Sequence, residues 1–398
     1  MAQPRPESLA AAPAAAEPSS AARAVMATAT IPVSDPQAPE RLAAALGPGP
    51  FSCVICFVSP DTDVEAFARR FAAALPGVAL MGCTTAGEIS PEGYSEGEAV
   101  AIALSQDHFA VDLIPIQDLS QLRPEDLIGR MIRARASLMR DHPGWDHEFA
   151  FLLVDGLSVR EDALTAALAP GLGPVPLFGG SAGDGTRFEH TLVIHGAKAM
   201  QDAAVLAMVR TDCRARVFSL DHLRPTERRM VVTEADPARR IVRQINAEPA
   251  AREYARLLGL DPWQLDTFTF AAHPVVVRIG GKHHVRAIQQ VAPNGDLVFF
   301  SAIDEGVVLT LAEPQDMVAH LDHALAGLAQ GGAPAAVLAC DCILRRMEVM
   351  EKQRFGALSE VLRKHRVLGF STYGEQVNSM HVNQTMTGVA LYPPDPAA

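Results

Sequence analysis

The sequence predicts an α+β fold of two related domains, each a mixed β-sheet with packed helices. Three observations point there. Apolar β-branched runs alternate irregularly with segments of helical apolar spacing, unlike a pure doubly wound order. The chain has 398 residues, more than one average domain, and its pattern resets near Asp236-Pro237. An octapeptide also recurs, as GCTTAGEI from Gly82 and GFSTYGEQ from Gly369. The expected division is 1–49, 50–236 and 237–398.

Residues 1–49 are rich in Ala and Pro, lack apolar periodicity and are expected to be a disordered leader. Ordered structure should begin at FSCVICFV (51–58), a continuous apolar run suited to a buried strand. Asp61-Thr62-Asp63 offers N-cap chemistry for a helix over VEAFARRFAAAL, which Pro76-Gly77 ends before the strand VALMGCTT. That βαβ opening predicts adjacent parallel strands. AVAIALS and AVDLIPI read as a hairpin, followed by a helix over 124–139, the strand FAFLLVDG and a helix over 160–168. VPLFGGSAGD, TLVIHG, AAVLAMV and ARVFSL read as strands.

Past Asp236, segments 238–246 and 250–258 read as helices. TFTFAA, VVVRI, HVRAIQQV and LVFFSAI read as strands, the last two joined by an Asn294-Gly295-Asp296 turn. A helix over 314–329, the strand AAVLACD, a long helix over 345–365 and the strands VLGFSTYG and TMTGVALY complete the chain.

Composition excludes several function classes. The formal charge is 34 − 46 = −12 with no basic run, a poor match to nucleic acid or anionic lipid. No apolar stretch approaches the roughly 18 residues of a spanning helix. Six Cys are too sparse for a disulfide scaffold, and no charged-then-apolar leader opens the chain, so a cytoplasmic setting is expected. There is no GxSxG elbow, Walker A loop, HExxH or kinase signature, so no catalytic residues are assigned.

In the echo, Thr85 and Glu88 correspond to Thr372 and Glu375, and a weaker third copy places Ser181 and Asp184 in FGGSAGDG. Each gives hydroxyl, any residue, Gly, carboxylate at the end of a strand. Such residues can close a tight turn, as in a capping box, or line a cleft. A phosphate cradle is disfavoured, because each turn carries a carboxylate where an anion needs amides or a cation. Two related halves facing each other would build a ligand cleft between them.

These motifs, with LACDCILRR and GFSTYGEQVNSMHVNQTMTGVAL, resemble the FIST family of bacterial sensory proteins over about residues 50–395. The resemblance implies a small-ligand sensor without an output domain of its own. A separate histidine kinase, diguanylate cyclase or phosphodiesterase would carry the signal, and the chain could act as a homodimer. GFSTYGEQ and MHVNQT further resemble the haem-binding, nitric-oxide-sensing branch, so haem b is the expected cofactor.

The resemblance supplies no haem ligand; chemistry selects His381, where an imidazole beside an apolar wall suits an open-coordinate iron. Met380 could pack on the macrocycle, and Tyr373 and Asn383 join the site. The alternative for His381 is a strand-end residue bonded to backbone. His195, His273 and the His283-His284 pair are weaker ligand candidates. Asp316, His320 and His323 share a helix with Met317, Leu321, Leu325 and Leu328, whose spacing leaves Asp316 and His323 in solvent. Cys53 and Cys56, an odd step apart on a strand, face opposite ways as core thiols. Cys83, Cys340 and Cys342 could form a soft-metal or redox trio, or be buried structural thiols.

The primary expectation is haem-dependent nitric oxide sensing. An amino-acid or metabolite sensor using Glu88, Asp184 and Glu375 for an ammonium group is the second, and an enzyme of unrecognised class the third.

Overall fold

The computed structural model describes residues 25–279 and 281–394. Residues 1–24 of the expected leader lie outside that range. Residues 25–49 correct the remainder of that expectation. β1 (Met26–Pro32) and α1 (Ala38–Ala45) are formed there, with Ala38, Leu42 and Ala43 buried. Ala-rich text can make a helix when a sheet face covers its few large side chains.

The fold is α+β with mixed sheets, and its chain order repeats three times. The first unit continues with β2 (Phe51–Val58), α2 (Val64–Ala74), β3 (Ala79–Thr84), the hairpin β4 (Glu88–Ser90) and β5 (Gly93–Ser95), and β6 (Glu98–Ser105). The second holds β7 (Phe109–Gln117), α3 (Pro124–Asp141), β8 (His147–Val154), α4 (Glu161–Leu172), β9 (Leu177–Ser181), the hairpin β10 (Val193–His195) and β11 (Lys198–Met200), and β12 (Ala203–Thr211).

The third unit opens with β13 (Ala215–Leu220) and is then interrupted by an inserted sheet. Its strands are β14 (Leu223–Asp236), β15 (Ile241–Ile245), β16 (Glu248–Pro249), β17 (Val275–Ile279), β18 (Lys282–Val285), β19 (Ile288–Val291), β20 (Leu297–Phe299) and β21 (Val308–Pro314). The insertion also carries α5 (Ala250–Leu258) and α6 (Thr267–Ala272). The unit resumes with α7 (Met317–Leu328), β22 (Ala336–Cys342), α8 (Ile343–Glu351), α9 (Phe355–Lys364), β23 (Val367–Thr372), the hairpin β24 (Glu375–Val377) and β25 (Met380–Val382), and β26 (Met386–Leu391).

The three sheets share one topology. Their orders are β1-β6-β2-β3-β10-β11, β7-β12-β8-β9-β24-β25 and β13-β26-β22-β23-β4-β5. In each, a parallel βαβ pair is flanked by antiparallel strands, and each outer hairpin comes from a different unit. The first unit's hairpin completes the third sheet, the third unit's completes the second, and the second unit's completes the first. No sheet is whole without another unit.

Each sheet packs one face on a common core. Ile55, Phe57, Phe149, Phe151, Leu338 and Phe370 meet there, and Phe57 stacks on Phe370 with ring centroids 4.5 Å apart. Such an aromatic pair contributes about 0.5–1.5 kcal/mol beyond burial. The outer faces are covered by α1 and α2, by α3 and α4, and by α7, α8 and α9. α2 buries Val64, Phe67, Ala68 and Phe71, and its cap Asp63 accepts from Ala66 N at 2.9 Å. The helix over α7 buries Met317, Leu321, Leu325 and Leu328, with Asp316 as its exposed cap.

Several expected elements are corrected. β6 and β7 do not pair; they lie in different sheets, because the turn between them is where one unit passes to the next. Residues 238–246 hold β15, and TFTFAA is the helix α6, capped by Asp266. Local β-branching there yields to the cap. The long helix over 345–365 is broken into α8 and α9, with Gln353 in the left-handed region. The boundary drawn at 236/237 falls between β14 and β15, which pair within the inserted sheet.

Candidate functional site

The repeated turns sit where the three sheets meet. Gly82 pairs with Cys56 and Gly369 with Ala339, and a Cβ would lie 2.1 Å from the Cys56 oxygen or 1.8 Å from the Ala339 oxygen. Only Gly allows that strand approach. After each strand the chain turns outward, and the three turns close a ring of backbone hydrogen bonds. Ala86 N donates to Ser371 O at 2.9 Å, Ser181 N to Gly374 O at 2.8 Å, and Gly183 N to Thr84 O at 3.1 Å.

The carboxylates are held within this ring. Thr85 donates to Glu88 and Thr372 to Glu375, the same bond in both strong copies. Asp184 departs from that pattern. It takes the Tyr373 hydroxyl and the backbone N–H groups of Phe188, Glu189 and His190 at 2.8, 2.9 and 2.8 Å. Burial drives its pKa up, but those donors outweigh it and the net lies below the usual carboxylate value. Burial pushes Glu88 to about 7 and Glu375 to about 8, against the partial opposition of their Thr partners.

A cleft of about 420 Å³ opens beside the ring. Thr85, Glu88 and Asp184 line it, with Arg187 and the exposed acids Asp61 and Glu96 at its rim. Arg346 of α8 forms one wall, 3 % exposed. Its Nη2 donates to Ser95 O and Glu96 Oε1 at 3.0 and 2.9 Å, and its plane lies over Tyr94, 4.8 Å from the ring centroid. Its Nη1 has no partner among the described residues. A buried guanidinium donor without an acceptor is costly, and a ligand oxygen is a natural remedy.

A buried polar chain runs from this wall to the surface. Tyr94 donates to Asp341, whose Oδ1 accepts from Arg345 Nε at 2.7 Å. Arg345 Nη1 meets His222 Nδ1 at 3.0 Å, and His222 Nε2 meets Glu348 Oε2 at 2.9 Å. Glu348 Oε1 accepts from Lys352 Nζ at 2.6 Å in a surface groove of about 300 Å³. A neutral His222 suits both contacts, accepting at Nδ1 and donating from Nε2; burial lowers its pKa accordingly.

The sequence matches the FIST N domain family over residues 52–248 and the FIST C domain family over 250–378. The chain belongs to the FIST family. FIST domains are sensory domains of signal transduction that bind small ligands. No curated protein matches the chain.

The FIST ring does not bring all the expected site residues to one cavity. Thr85, Glu88 and Asp184 reach the cleft; Ser181, Thr372, Glu375 and Asn383 lie behind it, all fully buried. Ser181 accepts from Gln376 Nε2 at 3.0 Å, and Glu375 accepts from Thr385 Oγ1 at 2.7 Å. Asn383 is buried with neither amide atom paired among the described residues. The three carboxylates expected to take an ammonium group are 0–2 % exposed and already satisfied, which corrects that role.

His381 is 2 % exposed, with Nε2 3.3 Å from Phe300 O and Nδ1 3.3 Å from Gln376 Nε2. A Cβ on Gly374 would stand 2.3 Å from its ring. With both nitrogens engaged and the ring buried against Gly374, the immediate surroundings of His381 do not fit a haem. Tyr373 is occupied by Asp184 and stacks on Phe188, and Met380 is half-buried on the hairpin. His195 lies on β10 and does not reach the cleft.

The six Cys are buried and free. Cys53 and Cys56 face different cores, as their spacing predicts. Cys83 and Cys340 share the common core while Cys342 packs elsewhere, so the expected trio does not assemble. Burial holds all three thiols well above their ordinary pKa.

Arg346 was the residue that motif reasoning passed over. Its signal was present: an Arg pair inside the apolar text LACDCILRRMEVM.

Proposed function

We propose that the chain senses a small carboxylate-bearing ligand in the cleft walled by Thr85, Glu88, Asp184 and Arg346. The observation that carries this is the buried, unpartnered Nη1 of Arg346. The ligand carboxylate accepts from Nη1. An amino acid is one member of this class, its ammonium facing the rim acids Asp61 and Glu96. Ligand binding reorients Arg346 over Tyr94, and the polar chain through Arg345, His222 and Glu348 carries the change along α8 to the Lys352 groove. A separate histidine kinase or cyclic-di-GMP enzyme reads that surface.

Haem-dependent nitric oxide sensing is the second reading, supported by a different cleft. A space of about 760 Å³ on the inserted sheet is lined by His283, by Arg229, Arg278 and Arg286, and by apolar Ile279, Ile303, Val307 and Val308. An imidazole, apolar walls and cations for propionates are what haem needs.

A thermal-shift screen of amino acids and small carboxylates separates the two. The first reading expects a ligand that raises Tm in wild type and not in Arg346→Gln. No stabilising carboxylate, together with a haem Soret band that shifts with nitric oxide and is lost in His283→Ala, would replace it with the second.

A further inference from the structure

The turns that join the three units carry a donor set of their own. Ser105 to His108 leads from the first unit to the second, and Thr211 to Arg214 from the second to the third. These turns are fastened together: Thr211 Oγ1 donates to His108 O at 2.7 Å and accepts from Cys213 N at 3.0 Å. Across them, His108 Nδ1 lies 3.1 Å from each Asp212 carboxylate oxygen, and Cys213 Sγ lies 3.5 Å from Asp212 Oδ1.

We infer that His108, Asp212 and Cys213 form a binding site for a zinc-class divalent cation at the crossing between units. Their three donor atoms lie within 4.8 Å of one another. Tetrahedral zinc with bonds of ~2.1 Å needs donors about 3.4 Å apart, inside the observed spread. Imidazole, carboxylate and thiolate are the mixed set that a borderline cation prefers over magnesium or calcium. Cys213 is fully buried, whereas the His108 and Asp212 side chains are 18 % and 29 % exposed, so the fourth position faces water. On binding, the Cys213 S–H bond breaks, the sulfur–metal bond forms and the proton passes to solvent. The cation then ties the two inter-unit turns to each other.

The site is tested on the full chain, stripped with a chelator and titrated with CoCl2. The expected result is tetrahedral cobalt bands plus a thiolate-to-cobalt charge-transfer band, both saturating at one equivalent and displaced by zinc. All six Cys are buried, so the band is assigned to Cys213 by its loss in the variant. Cys213→Ser should abolish the charge-transfer band, and His108→Ala should weaken cobalt binding by about 10- to 100-fold. Absence of the band in wild type, or its persistence in Cys213→Ser, overturns the site. If Cys213→Ser lacks the wild-type circular dichroism, Asp212→Asn decides: weakened binding supports the site and unchanged binding overturns it.

Discussion

Gly87 and Arg346 are in direct opposition: a Cβ on Gly87 would stand 2.6 Å from the Arg346 Cζ. The first repeated turn thus has the shape that lets a guanidinium from the third unit lie flat against it. Gly87 also has φ +120°, which an L side chain rarely adopts. Gly87→Ala should therefore cost about 1–3 kcal/mol of stability and push Arg346 out of place. Urea unfolding measures the first effect and ligand titration the second. Unchanged stability would mean that the turn tolerates a Cβ.

Glu375 gives a pH signature. Its folded pKa lies near 8, against 4.5 for an ordinary Glu, because burial disfavours the charge. Between those values the folded chain holds a proton that unfolding releases, so stability falls as pH rises from about 4.5 to about 8. Glu88, near 7, adds a smaller contribution of the same sign. Glu375→Gln should flatten the decline in urea midpoint between pH 5 and pH 8. An undiminished decline would show that Glu375 is ionised in the folded protein.

Arg345 and Asp341 are 1 % and 0 % exposed and paired at 2.7 Å. Removing Arg345 alone leaves the buried Asp341 carboxylate with the Tyr94 hydroxyl as its remaining partner and without its guanidinium. Arg345→Ala should cost about 3–5 kcal/mol, while the double replacement Arg345→Met, Asp341→Leu should recover much of it. Denaturant melts of the single and double variants test this. Additive losses would contradict the coupling.

Tyr373 reaches from the third unit to Asp184 and to Gly185 O at 2.9 Å in the second. Tyr373→Phe should cost about 1–3 kcal/mol and loosen the loop over 184–190. Hydrogen exchange at Phe188, Glu189 and His190 should rise. Unchanged protection there would show that Asp184 alone fixes the loop.

Much of this was legible in the sequence. The α+β class followed from the period of the apolar runs, and the FIST likeness from the repeated turns. The weak third copy, Ser181 to Asp184, lies at the end of β9 in the second unit, so the two expected halves are three repeated units. Two copies were plain because Thr and Glu make the same bond in each. The third was faint because its shorter Asp cannot, and turns instead to Tyr373. The exchanged hairpins were hidden, since strand pairing between distant units leaves no local period. TFTFAA misled because its β-branched text is overruled by the Asp266 cap. Arg346 was overlooked because an Arg after an apolar strand reads as surface until burial is known.

Arg346 is the anchor of the proposed ligand. Isothermal titration of the best carboxylate from the screen into wild type and Arg346→Gln tests that directly. The expected result is about a 10- to 100-fold loss of affinity in the variant, the worth of one charged hydrogen bond, with the circular dichroism unchanged. Equal affinity in both proteins would contradict it.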